Sequence, residues 1–282
     1  MQVVITGAGG NLGSKLTAHL QSAPWCSSII GIDPKPLADA GKFKAINADL
    51  RDPHDRRWID PVRHADAVVH FAAQSPAPDS SWPEAVQSFD MTLNLLQWVG
   101  QAPCRFVFAS SNHVMGGYKD IAPADGLKLS SATPPRPGTR YFDGETFHTP
   151  TAYGGSKLLG ERAVTARCAA SLLTGVNVRI GWVQPGENRP ETVNPHGGGR
   201  RVGPGLPDAD ELERATVWYR GMWMSNRDYL QLMEKALTAP ADDWPDRAII
   251  VSGVSDNTGT AWNLEDGRRW LGYAPQDDIT AV

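Results

Sequence analysis

The sequence predicts a doubly wound α/β fold, a parallel sheet with helices on both faces, and three observations carry that expectation. Short β-rich runs alternate with helical stretches through the first two-thirds of the 282 residues. Most of those runs are continuously apolar, as strands covered on both faces are. A glycine-rich turn, Thr6-Gly7-Ala8-Gly9-Gly10-Asn11-Leu12-Gly13, joins the first run to the first helical stretch.

Taken in order, strands are expected at 3–6, 28–33, 43–47, 67–71, 105–109 and 176–180, with a late one at 248–251 returning to the sheet. Helical patterns fall at 12–20, 84–100 and 156–173. Two stretches break the rhythm. Segment 117–149 holds Pro123, Pro134, Pro135 and Pro137, and is longer than an ordinary connection. Segment 184–227 is rich in Gly, Pro and Arg and closes on a cluster of Trp218, Met222, Trp223 and Met224, which reads as core or an interface between copies.

Composition excludes several classes. A hydrophobic content of 41% is ample for a core. A formal charge of −4 gives no reason to expect a nucleic-acid partner. Cys26, Cys104 and Cys168 lie too far apart for a disulfide framework or a zinc spacing and read as reduced, buried thiols. The seven histidines show no metal spacing. No apolar run approaches the ~20 residues needed to span a bilayer, and the start of the chain reads as a strand rather than a signal peptide. A cytoplasmic protein without metal or membrane partner is expected.

Glycines 7, 10 and 13 stand between a strand and a helix, where a tight turn, close approach of the backbone to a pyrophosphate and free helix N–H groups all favour glycine. Asp33 ends the second strand twenty residues after Gly13, where a carboxylate meets ribose hydroxyls. It is also placed as a turn residue before Pro34. Asp49 follows the third strand, within reach of an adenine amino group or simply solvated.

Tyr153 and Lys157 stand four apart at the start of a helix, so the ammonium lies near the phenol. A tyrosine with pKa near 10 is a poor base at neutral pH, and a neighbouring cation favours the phenolate. Ser111 follows the fifth strand at its carboxyl end, the edge at which such sheets bind ligands. Its hydroxyl can hold a substrate oxygen while Tyr153 takes the proton.

The glycine loop, Asp33, His70-Phe-Ala-Ala73, Ser111 and Tyr153-x-x-x-Lys157 occur in the order of the extended short-chain dehydrogenase/reductase family, which the chain resembles over nearly its whole length. Ser110-Ser-Asn-His113, Val178-Arg-Ile-Gly181, Met224-Ser-Asn-Arg-Asp228 and Val251-Ser-Gly-Val-Ser-Asp256 with Leu271-Gly-Tyr-Ala-Pro275 resemble its uronate-dehydrogenase branch, which includes relatives acting on glucose 6-phosphate and sulfoquinovose. The resemblance implies a Rossmann domain over 1–182 that binds NAD and a small substrate-binding portion over 183–282. It implies a catalytic triad of Ser111, Tyr153 and Lys157, with Lys157 also holding the nicotinamide ribose. NAD would be met by Gly7, Gly10, Asn11, Leu12, Gly13, Asp33, Asp49, Leu50, Phe71, Ala72, Ala73, Ser110, Tyr153, Lys157 and Ile180. Ser75, Asn112 and His113 would contact sugar hydroxyls. Ser88 departs from the family, standing where it carries an asparagine of a proton relay.

The resemblance further implies oxidation of C1 of a pyranose with an anionic C6 group to the lactone, by a homo-oligomer. Arginine supplies six of the basic residues of 184–227 and lysine none. A planar guanidinium suits a carboxylate, phosphate or sulfonate, and Arg189, with Arg200 or Arg201 in its stead, is the candidate for the anion. Two other readings share these motifs. A nucleotide-sugar epimerase or dehydratase with tightly held NAD normally needs more than the hundred or so residues that follow Ile180. A non-catalytic NAD(H)-sensing protein would not need the intact triad.

Overall fold

A computed structural model describes residues 1–75, 77, 79–123, 126–143, 145–193 and 209–281. The chain alternates β1 (Gln2–Thr6), α1 (Asn11–Leu20), β2 (Ser28–Asp33), β3 (Phe43–Asn47), α2 (Arg56–Arg63), β4 (Ala67–His70), α3 (Trp82–Trp98) and β5 (Cys104–Ser111). A 3-10 helix (Asn112–Lys119) and a two-stranded hairpin, β6 (Tyr141–Phe142) with β7 (Phe147–His148), fill the long proline-rich connection. Then come α4 (Ala152–Ala169), β8 (Leu173–Ile180), α5 (Ala209–Gly221), α6 (Asn226–Thr238), β9 (Ala248–Gly253) and α7 (Glu265–Leu271).

Seven parallel strands make one sheet in the order β3-β2-β1-β4-β5-β8-β9. This is the doubly wound Rossmann arrangement, and the order reverses between β1 and β4, opening a crevice at their carboxyl ends. The central strands are apolar throughout because they are covered on both faces: Val3, Val4, Ile5, Val68 and Val69 have no exposure. One core lies between the sheet and α1, α5 and α6, and the other between the sheet and α2, α3 and α4. The Trp218, Met222, Trp223 and Met224 cluster belongs to the first. There Trp182 exchanges backbone hydrogen bonds with Met222 and Met224.

Most of the expected strands shift by one to three residues at an end, and two helices differ for reasons of packing. α4 begins at Ala152 rather than 156, although Gly154 and Gly155 are poor helix formers. A Cβ on Gly154 would stand 2.6 Å from the His113 carbonyl oxygen, so close packing against the segment after β5 requires the glycine and outweighs propensity. The same helix ends at Ala169, because Leu173 onward pairs with β5. α2 was not expected. Its N-cap Asp55 accepts from the Arg57 amide, and Trp58, Ile59 and Val62 are buried beneath it, with Pro61 inside the helix masking the pattern.

Candidate active site

Above the carboxyl ends of β1, β2, β4, β5 and β8 runs a cleft of about 1050 Å³. Its first end is made by the glycine loop. Gly7 takes φ +69° and a Cβ there would lie 2.9 Å from the Ala72 amide nitrogen, while one on Gly13 would lie 2.3 Å from the Gly7 carbonyl oxygen. The loop therefore packs backbone on backbone, which only glycine permits. α1 starts at Gly10 with no side-chain cap and no acidic residue in its first turn. The orphan amides of that turn face a cleft wall also made by Gly10, Asn11, Leu12 and Gly13, the donor set a pyrophosphate needs.

Asp33 is buried at the end of β2, one oxygen accepting from the Gly9 amide at 3.0 Å and the other from the Lys35 amide at 2.9 Å. These bonds fix its carboxylate at the cleft wall and leave further lone pairs for ribose hydroxyls. Asp49 and Leu50 also line the cleft, but both Asp49 oxygens are engaged by Arg51, which holds the carboxyl below its usual range. An adenine amino group has to compete with that guanidinium. Phe71, Ala72 and Ala73 also line the cleft, as does Ile180, which stands opposite Ser111 in the β5–β8 pairing. Ser110 reaches the cleft as well, yet its hydroxyl turns away to Glu161 at 2.6 Å.

The second end brings Ser111, Tyr153 and Lys157 to one wall with His113. Tyr153, Lys157 and Glu161 recur every fourth residue along one face of α4. Glu161 anchors that face, since Arg179 on β8 donates to its two oxygens at 2.8 and 2.9 Å while Ser110 donates from β5. All three partners are buried, so α4 is locked to the two strands that flank the site. The Lys157 ammonium donates to the Ala109 carbonyl at 2.7 Å and lies 5.8 Å from the centre of the Tyr153 ring. Ser111 accepts from the His113 amide at 3.2 Å, which leaves its own proton to be donated. His113 donates to or accepts from Thr139 at 2.6 Å and stands edge-on to Tyr153 at 5.9 Å.

Burial dominates the electrostatics. It pushes the Tyr153 phenol up, with the Ser111 hydroxyl pulling the other way. It pushes Lys157 down to about 8 and His113 down to about 4. The acidifying effect expected of Lys157 on Tyr153 is thus opposed by desolvation, because the same enclosure that brings the cation near strips water from the phenol.

Other expected residues fall elsewhere. Asn112 is wholly buried, with neither amide atom partnered among the described residues, and like Ser75 it is not part of the cleft wall. Ser88 donates to the Glu84 carbonyl and accepts from the Gln74 amide, bracing the segment after β4. Arg189 does not reach the cleft: it is exposed and paired with Glu187, its neighbour two residues away. Arg200 and Arg201 lie outside the described residues. Trp182, Tyr141 and Tyr219 line the second end and were not expected. Trp182 carried a signal, since it directly follows Gly181 at the carboxyl edge of β8; Tyr219, in a helix forty residues on, carried none.

Residues 3–197 match the model of the NAD dependent epimerase/dehydratase family. The chain is 27% identical to an L-arabinose 1-dehydrogenase (NAD(P)(+)) of Haloferax volcanii over all of this chain and 98% of that protein. It is 28% identical to an NAD-dependent glucose-6-phosphate dehydrogenase of the same organism, over 98% of this chain and 93% of the relative. A crystal structure of uronate dehydrogenase from Agrobacterium tumefaciens superposes with a TM-score of 0.71 at 24% identity, covering 99% of this chain and 86% of that one, a likeness of fold.

Proposed function

The chain belongs to the NAD dependent epimerase/dehydratase family, and from that premise we infer that its cleft binds NAD and oxidises C1 of a free sugar to the lactone. The observation that carries this reading is the convergence of Ser111, Tyr153 and Lys157 on the same cleft as the glycine loop and Asp33. The full-length similarity to an arabinose and a glucose-6-phosphate dehydrogenase supports the reaction class. Bound NAD supplies the hydride acceptor, the nicotinamide C4.

The protein's own groups do the rest. Ser111, its oxygen already accepting from His113, donates toward the C1 oxygen and orients it. Tyr153 takes the C1 hydroxyl proton as the C1 hydrogen departs with its electron pair, so the carbon becomes a lactone carbonyl. Lys157, held by the Ala109 carbonyl, offers its remaining protons toward the ribose and balances the phenolate. The walls exclude water from that exchange, which strengthens each contact.

The favoured substrate carries an anion at C6, with Arg200 or Arg201 supplying the charge, since Arg189 is held at the surface by Glu187. The arginine-only basic content of 184–227 supports this choice. An apolar stripe of Trp82, Val86 and Leu93 on α3 with Leu159 on α4, all exposed, supports assembly of like copies. Free, buried Cys26, Cys104 and Cys168 suit a reducing cytoplasm. No helix of the described residues is long and apolar enough to cross a membrane.

The test is NADH absorbance with NAD and a panel of glucuronate, galacturonate, glucose 6-phosphate, sulfoquinovose, glucose and L-arabinose. Turnover on an anionic hexose well above glucose supports the reading. Turnover only of a nucleotide-linked sugar, without net NADH, makes the protein an epimerase or dehydratase instead.

A further inference from the structure

Tyr219 belongs to none of the motifs considered above, yet it lines the cleft from α5 with only 5% of its surface exposed. Its ring stands edge-on to Trp182 at 5.7 Å, and Trp182 lines the same wall. The Tyr219 hydroxyl has no hydrogen-bond partner among the described residues, whereas a buried tyrosine oxygen ordinarily finds one. Packing does not account for it, because a phenylalanine would fill the same space without a stranded hydroxyl. The nearby acids are already committed: Lys119 donates to Glu211 at 2.6 Å and pairs with Asp120 at 3.0 Å, and Arg140 reaches both. What the hydroxyl lacks among the described residues is an acceptor, and the residue lines the cleft.

We propose that Tyr219 reads the substrate: its hydroxyl donates a hydrogen bond to a ring hydroxyl of the sugar, with Trp182 forming the apolar wall beside it. This rests on the sugar-dehydrogenase reading of the same cleft. Burial, with Asp120, Tyr141 and Glu211 nearby, pushes the phenol up and keeps it a donor across the working pH range. The partner is a neutral hydroxyl rather than the anion, because the Tyr219 neighbours facing the cleft, Trp182, Met222 and Tyr141, are themselves uncharged.

The experiment compares wild type with Tyr219→Phe in KM, kcat, NAD affinity by protein fluorescence, and thermal stability. A lost hydrogen bond between neutral groups predicts a rise in sugar KM of about 3- to 10-fold. That rise should appear on every sugar the wild type oxidises, with kcat and NAD affinity within about twofold and the melting temperature equal or higher. A tyrosine serving only the core gives an unchanged KM with an unchanged or higher melting temperature, which overturns the proposal and leaves the dehydrogenase reading standing. A rise confined to anionic sugars and above about tenfold overturns the neutral-hydroxyl assignment. If wild type reduces NAD with no sugar of the panel, the dehydrogenase reading falls and this proposal with it.

Discussion

At one end of the cleft a single short run of chain, the turn and helix start at 7–13, is joined by Asp33 and by the segments that follow β3 and β4; at the other the lining is gathered from β5, the segment after it, α4, the turn after β8 and α5. The nucleotide end is shaped by backbone, and Gly7 and Gly13 are dictated there by distances too short for any Cβ. The sugar end is mostly side chains, oriented by a buried ion pair and by the edge-on packing of His113 against Tyr153. Backbone recognition is tied to spacing in the chain, whereas side-chain recognition can be supplied from anywhere the fold converges. The two ends should therefore fail independently, and in different measurements.

The largest effect is at the sugar end. Tyr153→Phe removes the phenol oxygen proposed to accept the C1 proton and should lower kcat by about 10²–10⁴-fold, while NAD affinity changes little. Steady-state kinetics alongside a fluorescence titration with NAD separate the two. A variant retaining a tenth of wild-type kcat would hand the role of base to another residue.

The converse break lies at the nucleotide end. Gly13→Ala sets a methyl against the Gly7 carbonyl, a backbone atom with little room to move. Overpacking of this kind costs about 1–3 kcal/mol, and if the glycine loop shifts to relieve it, NAD affinity falls by about tenfold or more. An NAD titration of the folded variant, checked by circular dichroism, would show whether affinity and fold part company. Unaltered affinity would mean that the loop's shape does not govern binding.

A smaller effect connects the ends through pH. His70 bridges Thr6 and Thr92 behind the glycine loop, and burial holds its pKa down at about 3; His113, beside Tyr153, is held at about 4. An unfolded chain takes up both protons near pH 6.5, which the folded protein refuses. Stability is thus fully present above about pH 6.5 and is lost as pH falls toward 4 and then 3. Urea midpoints at pH 7.5 and pH 5 should differ in that direction, and less in His113→Gln. A midpoint equal at the two values would mean that the rings are charged in the folded state.

The smallest effect marks the outer limit of the sugar end. Arg189→Ala should leave kcat/KM within about twofold on anionic and neutral sugars alike, since an exposed ion pair with Glu187 contributes little. A loss above tenfold on the anionic sugar alone would return Arg189 to the site.

The same contrast explains what the sequence disclosed. The strand–turn–helix at 3–20, Asp33 and the Tyr153–Lys157 spacing were legible because local chemistry constrains them: glycine for clearance, a carboxylate at a strand end, an i,i+4 pair on a helix. α4 was misplaced by four residues because Gly154 obeys a contact with His113, made across forty positions of chain. Tyr219 was invisible because nothing near it in sequence distinguishes a core tyrosine from one facing a cleft. Arg189 looked functional by composition, and only its geometry shows it answering to Glu187.

The pairing of β9 with β8 bears on how the molecule comes into being. Six residue pairs, from Gly175 with Ala248 to Ile180 with Gly253, join strands separated by α5 and α6. A nascent chain released only as far as β8 displays an apolar strand, buried in the mature molecule at every position but Thr174, with one full row of backbone donors and acceptors unsatisfied. Such an edge is a template for pairing with another chain. Completion of the sheet waits on a long-range closure that raises contact order and slows folding. Synthesis of the stretch after β8, through β9, is then the step at which the protein escapes aggregation, and expression trials truncated before residue 248 should yield inclusion bodies rather than a smaller working enzyme.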